Sequence, residues 1–405
     1  MNELRGKLMQ VSVLVVVATV VAVGAGVAGG TTGAESAAAK PTWLTISGFW
    51  DGVTGPAVVG SASGRGWMGF IDGQSRSTLG SLRRFGGRLL FAKTRLAAQG
   101  PLSIVGSQLL YHLPDVSGTP GELRAVPLLA NGKVGTPRAV PGNPETIPPQ
   151  ELHPTVVDSI EIGDRTVWLL GGARQAPPKS YLWVCCSRTG ELVDLTRFIK
   201  QGRLNFFTQL GLDSKKRLWL AWLQSSGTAV AGSVKLLELD PETLAPRTSS
   251  ADTLPGGTAT KFELSCAAFC RVVITDLFSG DLLALSPGQR SPTRMASGTR
   301  ENPANLLAVT DRSGHLTVAH VASRSPDPAK AQVHEIEVVS GDSRGSHPRR
   351  LAAADLPDAI GPSDDLYQTA YATFAPGGLV YFAFYYPGGT KTRTLAGFLP
   401  LSSTR

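Results

Sequence analysis

Four cysteines and six histidines are the residues of this 405-residue chain whose types best suit chemistry. The cysteines are Cys185, Cys186, Cys266 and Cys270, and the histidines are His112, His153, His315, His320, His334 and His347. A structural zinc site needs paired thiolates or imidazoles at short, regular spacing. Neither the Cys-Cys pair nor the Cys-x-x-x-Cys pair has a histidine at such spacing, so no metal is expected. His315 and His320 fall on opposite faces of a strand, which argues against a metal shared between them. His112 and His320 come late in apolar runs and are expected as hydrogen-bonded histidines at strand ends. In an exported chain the thiols are expected to be oxidised, and four cysteines permit three pairings. Cys266 and Cys270 bracket Ala-Ala-Phe between two strand-like runs, which suits a clip across a turn. Cys185 and Cys186 would point to opposite faces of a strand, leaving either a vicinal bond or two free thiols.

The stretch GRGWMG, residues 64–69, matches G-x-G-x-x-G. A dinucleotide site requires this turn to open a helix whose N-terminus meets the pyrophosphate. The residues that follow, FIDG, read as strand and turn, so the match is expected to be a turn between strands. No Walker loop, HExxH, GxSxG or EF-hand pattern occurs, and no cofactor is expected.

The elements that would position any site are β-strands. Gly 46 and Pro 28 favour many short strands over long helices. Seven related apolar stretches recur: GWMGFID (66–72), SQLLYHL (107–113), RTVWLLGG (165–172), RLWLAWL (217–223), CRVVITDL (270–277), GHLTVAHV (314–321) and GLVYFAFYY (378–386). Their irregular period of about fifty residues suits an array whose units differ in loop length. Each is followed by a looser, more alternating partner with a turn signal, such as Arg188-Thr189-Gly190, Asn131-Gly132 or Asp240-Pro241-Glu242-Thr243. Helical pattern is confined to DLTRFIKQG (194–202) and LAAADLPDAIG (351–361), each good for one or two turns.

RLWLAWL poses the architectural question. Leu218, Leu220 and Trp222 face one way, while Trp219, Ala221 and Leu223 face the other, so the strand has no polar side. Burying one large apolar side chain is worth ~1.5–3 kcal/mol, so both faces must be covered. Helices that could do this are missing, and a two-sheet sandwich covers one face of each sheet and predicts alternation throughout. Small antiparallel sheets stacked face to face around an axis meet the requirement. The expected fold is all-β, a single propeller of six or seven four-stranded blades over residues 40–405. Trp43 and Trp50, in PTWLTISGFWDG, are expected in the strand that joins the first and last blades, with a sugar-stacking platform as their functional alternative.

Residues 1–39 read as an export segment. Arg5 and Lys7 precede an uncharged run from Leu8 to Gly30, and Ser36 to Ala39 supply small residues for a peptidase. A cleaved signal peptide is expected, with a membrane anchor over residues 8–30 as the alternative. The net charge of +8 suits solubility, or attraction to an acidic polysaccharide or cell-wall phosphate.

LDSKKRLWLAW and TDRSGHLTVAH, each leading to a hairpin such as ELDPETLAP, resemble blades of the exported bacterial sialidase-like propellers. LSCAAFCRVVITD resembles the C-x(3)-C-R blade start of exported actinobacterial propellers. The resemblance covers most of residues 45–400 at the level of blade pattern. It implies, as an enzyme, a retaining sialidase that uses arginines on the substrate carboxylate and a tyrosine activated by an acid. Arg174, Arg300 and Arg312, Tyr367 and Tyr371, and Glu301 and Asp365 are the residues available for those roles. Without the catalytic motifs the expectation is an exported, monomeric binding module. Its partner is expected to be an extracellular polysaccharide or envelope protein rather than nucleic acid, with the membrane touched only through the N-terminal segment. The alternative is a sialidase-like glycoside hydrolase.

Overall fold

A computed structural model of the chain describes residues 42–46, 58–62, 65–71, 77–85, 88–96, 99–112, 123–140, 155–175, 178–199, 204–225, 232–255, 259, 261–296, 306–324, 333–341, 348–355, 370–375, 378–385 and 393–401. Every described strand falls within the unit Ala37–Arg405.

The first strand, β1 (Thr42–Ile46), stands apart in sequence from the sheet it joins. Blade I then comprises β2 (Val58–Ala62), β3 (Arg65–Ile71), β4 (Ser77–Phe85) and β5 (Arg88–Leu96). Blade II is β6 (Gln99–Val105), β7 (Gln108–His112), β8 (Leu123–Pro127) and β9 (Arg138–Ala139). Blade III is β10 (Thr155–Ile162), β11 (Arg165–Gln175), β12 (Pro178–Cys185) and β13 (Val193–Asp194). Blade IV is β14 (Leu204–Leu212), β15 (Leu218–Ser225), β16 (Gly232–Leu239) and β17 (Asp252–Thr253). Blade V is β18 (Phe262–Cys266), β19 (Cys270–Thr275), β20 (Leu282–Leu285) and β21 (Thr293–Ala296). Blade VI is β22 (Leu307–Thr310), β23 (Leu316–Arg324), β24 (Val333–Gly341) and β25 (Arg349–Asp355). Blade VII takes β26 (Ala370–Ala375), β27 (Gly378–Tyr385) and β28 (Arg393–Pro400), with β1 as its outermost strand.

Each of the seven sheets is an antiparallel four-stranded meander. The first strands of the blades form a closed inner ring: β2 lies beside β6, β6 beside β10, and so on through β14, β18, β22 and β26, which returns to β2. The ring is locked by pairing of β1 with β28, in which Trp43 opposes Gly397 and Leu44 opposes Ala396. The expectation of a propeller with terminal closure holds, and the described strands make seven blades. All seven recurrent apolar stretches are second strands of blades.

The two-faced strand β15 shows why blades stack. Leu218, Leu220 and Trp222 pack with Val167, Leu169, Leu182 and Val184 of blade III. Trp219, Ala221 and Leu223 pack with Phe262, Val272, Ile274 and Leu283 of blade V. Trp222 is fully buried at 0% exposure. The same radial sandwiching joins blades II and III through Leu110, Trp168 and Trp183, and blades V and VI through Val273, Leu282, Val318 and Val339. The third strand β16 is half-buried, with Ser233, Val234, Lys235 and Leu236 alternating, whereas the third strand β20 is buried throughout.

Local readings fare unevenly. GRGWMG is corrected from turn to strand: Arg65–Gly69 lie in β3, paired with β2, and no helix follows as a phosphate loop requires, while Gly64 lies outside the described residues. DLTRFIKQG forms a single 3-10 turn, Thr196–Phe198. LAAADLPDAIG is corrected: its first residues lie in β25, because pairing of Ala352 with Val338 and Ala353 with Glu337 outweighs the local helical preference of the alanines. The turns before β15 and β23 share an aspartate frame. Asp213 accepts the Lys215 and Arg217 amides, and Asp311 accepts those of Ser313 and His315. Gly314 supplies the left-handed residue in the second turn at φ 89°, and Lys216 takes that conformation in the first at φ 59°. The missing turn glycine is thus tolerated, with a strain typically near ~1 kcal/mol.

Candidate functional site: the inner ring and the two ends of the propeller

An inner strand pairs with its own blade along one edge and leaves the other edge without a ladder partner. Buried main-chain groups on that edge need acceptors and donors from elsewhere. Polar side chains of the adjoining inner strands supply them. At the junction of blades II and III the Ser159 hydroxyl donates to the Val105 carbonyl at 3.0 Å. Between blades III and IV the Leu210 amide donates to Asp158 Oδ2 at 2.6 Å, while the Ser159 amide donates to Oδ1 at 2.7 Å. Between blades IV and V the Leu264 amide donates to Gln209 Oε1 at 2.5 Å, and Gln209 Nε2 donates to Glu263 Oε2 at 3.0 Å. Between blades V and VI the Thr310 amide donates to Ser265 Oγ at 2.6 Å. Gly106 belongs to the same seam. It has φ +55°, and an added Cβ would lie 2.4 Å from the Ser159 carbonyl oxygen.

The seam carries the most perturbed carboxyls. Burial pushes Asp158 up to about 7, against the pull of the Leu210 and Ser159 amides, with the Glu263 charge adding to the rise. Burial also raises Glu263, opposed by Lys261 and Gln209. A carboxyl near neutrality can trade protons at physiological pH. Both oxygens of Asp158 already accept main-chain amides, however, which commits this side chain to holding neighbouring blades together.

The two ends of the ring differ. At one end lie the turns from first to second strand and from third to fourth strand, here called the turn face. Ser214, in the β14–β15 turn, donates from its amide to Ala267 O and from its hydroxyl to Ala268 O in the β18–β19 turn. Arg188, in the β12–β13 turn, pairs with Glu242 of the β16–β17 turn at 2.6 Å. Arg165 reaches the carbonyls of Cys186, Pro241 and Glu242, and Arg65 reaches that of Ala130. Both disulfides sit on this face. Cys266 and Cys270 are bonded where β18 turns into β19, with S–S 1.96 Å, and an added Cβ at Gly211 would lie 2.2 Å from Cys266 Sγ. Cys185 and Cys186 are bonded to each other across a cis peptide. The sequence left that pair open between a vicinal bond and free thiols, and the structure has no free cysteine.

At the opposite end, the connection face, lie the links from second to third strand and from blade to blade. Residues 141–154, 297–305 and 356–369, which precede the inner strands of blades III, VI and VII in sequence, lie outside the described residues.

The sialidase-type residues divide between the ends. Arg174 lies at the connection-face end of β11, and Tyr371 at the connection-face end of the inner strand β26. Arg312 is exposed in the β22–β23 turn on the turn face. Arg174 and Arg312 are therefore not brought together. Arg300, Glu301, Asp365 and Tyr367 lie outside the described residues, as does Trp50.

His315 is exposed in a turn, with Nδ1 2.7 Å from Ser313 Oγ. His320 is buried in β23 of blade VI, 3.2 Å from Glu337, which also pairs with Arg350 at 2.8 Å. His112 ends β7 opposite Gln99, and His153 and His347 lie outside the described residues. Among the described residues, no three His, Cys, Asp or Glu side chains gather as a metal site. No described helix is long and apolar enough to cross a membrane.

The seam residues Ser159, Asp158, Gln209, Glu263 and Ser265 escaped the sequence reading. Their signal was available: each is a polar residue in the strand immediately preceding a recurrent apolar stretch, in VVDSIEI, FTQLGL and FELSC.

No family model matches the chain, and no curated protein matches it. Among solved structures it is similar to a puromycin hydrolase, at 16% identity and TM-score 0.39, over 82% of this chain and 59% of that one. The chain thus spans about three-fifths of that protein's length. It is also similar to the polysaccharide lyase Uly1, at 11% identity and TM-score 0.42, over 86% of this chain and 90% of that one. An endo-arabinase from Bacteroides thetaiotaomicron VPI-5482 aligns at 12% identity and TM-score 0.33, over 73% and 91% of the two chains. On its own sheet order and closed inner ring, the chain is a seven-bladed β-propeller.

Proposed function

We propose that this chain is an exported propeller that binds an extracellular ligand, a polysaccharide or an envelope protein, through the loops of its connection face. The inequality of the two ends carries this reading. The turn face is tied down by aspartate-framed turns, disulfides and bonds between blades, whereas the intervals 140–154, 297–306 and 356–369 each fall in sequence between the fourth strand of one blade and the inner strand of the next, and lie almost wholly outside the described residues. Binding residues concentrate on loops that a rigid scaffold positions. The carboxyl nearest neutrality, Asp158, has both oxygens engaged by main-chain amides of blades III and IV. Export accords with the two disulfides.

The test uses the full chain on an array of neutral and acidic polysaccharides, with a parallel assay for new reducing ends. A second chain has residues 356–369 replaced by a short Gly-Ser link. The expected result is retention of a polysaccharide without cleavage, lost on replacing that link. Retention unaffected by the replacement contradicts the reading.

The sialidase-like reading is second. Tyr371 favours it by lying on an inner strand at the same end as Arg174. Release of sialic acid from a fluorogenic sialoside, abolished by Tyr371→Phe, would replace the binding module with this enzyme.

A further inference from the structure

The net charge of +8 is unevenly presented on the turn face. Four of its acids, in blades IV and VI, are engaged locally. Asp213 accepts two amides and the Arg217 guanidinium, which lies at 2.7 Å. Asp240 accepts the Glu242 and Thr243 amides and pairs with Arg247, and the Thr243 amide holds its carboxyl below the usual range. Glu242 is taken by Arg188, and Asp311 by Ser313 and His315.

The cations do the reverse. Lys215 and Lys216 in the β14–β15 turn, Arg290 in the β20–β21 turn, Arg312 in the β22–β23 turn and Arg349 at the start of β25 are all exposed. None of these five side chains has an ion pair or hydrogen bond among the described residues. They belong to blades IV, V and VI, joined between turns by Ser214 to Ala267 and Ala268 and between inner strands by Thr310 to Ser265. The strip is therefore a set of cations on a fixed scaffold, beside acids that are already engaged by neighbouring amides, hydroxyls and guanidinium groups.

We propose that this strip is a second binding surface, which takes an anionic polysaccharide bearing a carboxylate or phosphate on each repeat. It is independent of the ligand proposed for the connection face. The cations are spread over three blades and converge on no single point, so a small anion would meet one or two of them. Each exposed contact is worth ~0–1 kcal/mol, and several act together only if the anions are linked. Fields from exposed charges fade over ~8 Å at physiological salt, so the attraction must weaken as salt rises. Bases need aromatic faces on which to stack, and the aromatic ring in this stretch of turns, Phe269, already lies under the Arg271 guanidinium at 4.9 Å. This favours a sugar polymer over single-stranded nucleic acid.

The test measures retention of the full chain on immobilised polygalacturonate, with neutral pullulan and duplex DNA as parallel surfaces. The variants are the triple charge reversal Lys215→Glu, Lys216→Glu and Arg312→Glu, and the single reversal Lys235→Glu on the flank of blade IV. Melting midpoints of both variants are measured alongside, so that a folding defect is recognised as such. The expected result is binding to polygalacturonate that weakens about tenfold between 50 and 200 mM salt. The triple variant loses a further tenfold or so at an unchanged midpoint, while Lys235→Glu stays within about twofold and pullulan is ignored. Absence of binding by the wild-type chain, salt-insensitive binding, or equal loss in both variants overturns the proposal. Equal retention on duplex DNA, lost in the triple variant, overturns the polysaccharide assignment. Because the connection-face link 356–369 is untouched in these variants, failure here is distinguishable from failure of the function proposed above.

Discussion

Replacing Trp222 with alanine is expected to lower the unfolding free energy of the disulfide-intact chain by about 3–5 kcal/mol. The indole is completely buried between blades III and IV, against Leu169, Leu182 and Leu220. Its removal forfeits the transfer energy of the ring and leaves a cavity between two sheets that are each pinned on the other side. A whole domain is typically stable by only ~5–15 kcal/mol, so one side chain of this kind is a large share. Phe278→Ala is the matched control. That ring is 83% exposed in the β19–β20 link, and its loss should change stability by no more than about 0.5 kcal/mol. Denaturant titration of the two variants measures both. A Trp222→Ala cost near that of Phe278→Ala would mean that the inner faces of adjacent blades are not in contact.

Raising the pH from 5 to 9 is expected to cost the protein roughly 3 kcal/mol through Asp158. The sign follows from a folded-state pKa of about 7, above the 3.8 of an unperturbed carboxyl. A raised carboxyl pKa means that the fold favours the protonated form. The associated stability is complete below the unfolded value and drains away as pH rises through neutrality. Glu263, also raised by burial, adds a contribution of the same sign. Asp158→Asn isolates the effect. Asparagine has one acceptor oxygen where the Ser159 and Leu210 amides need two, so the variant should be less stable than wild type at pH 5 by about 1 kcal/mol. At pH 9, where the wild-type carboxylate is charged in the seam, the variant should be the more stable of the two. Unfolding curves across this range should cross near neutrality, and parallel curves would show that Asp158 ionises freely in the fold.

The fold was largely written in the seven apolar stretches. Second strands such as β11, β15 and β19 are covered on both faces, so their sequences lose the polar alternation of a half-exposed strand, and RLWLAWL announces two neighbouring sheets. The stretches left the count at six or seven blades, which the seven described sheets resolve, and Trp43 upstream of the first stretch marks the strand left over for closure. Two kinds of feature were less legible. LAAADL reads as helix because alanine favours helix locally, while its place as fourth strand of blade VI depends on a partner, Val338, supplied by another strand. The seam residues Asp158, Gln209 and Ser265 look like ordinary polar positions of half-buried strands. Their role appears once the ring brings the bare edge of each inner strand against its neighbour. The arginine and tyrosine sets were legible as residue types but not as places, since Arg174 and Arg312 end at opposite faces of the propeller.

The central claim is a ring closed by β1 lying on β28. A chain carrying Leu44→Cys and Ala396→Cys, which oppose each other in that pairing, tests it directly by oxidation followed by peptide mapping and thermal unfolding. The account predicts a 44–396 disulfide formed in the native state, with a higher melting midpoint, because it closes nearly the whole chain into one loop. The chain-entropy gain for such a loop is up to about 5 kcal/mol. Two native-state thiols that stay unpaired, or that pair only after unfolding, would contradict the closed propeller.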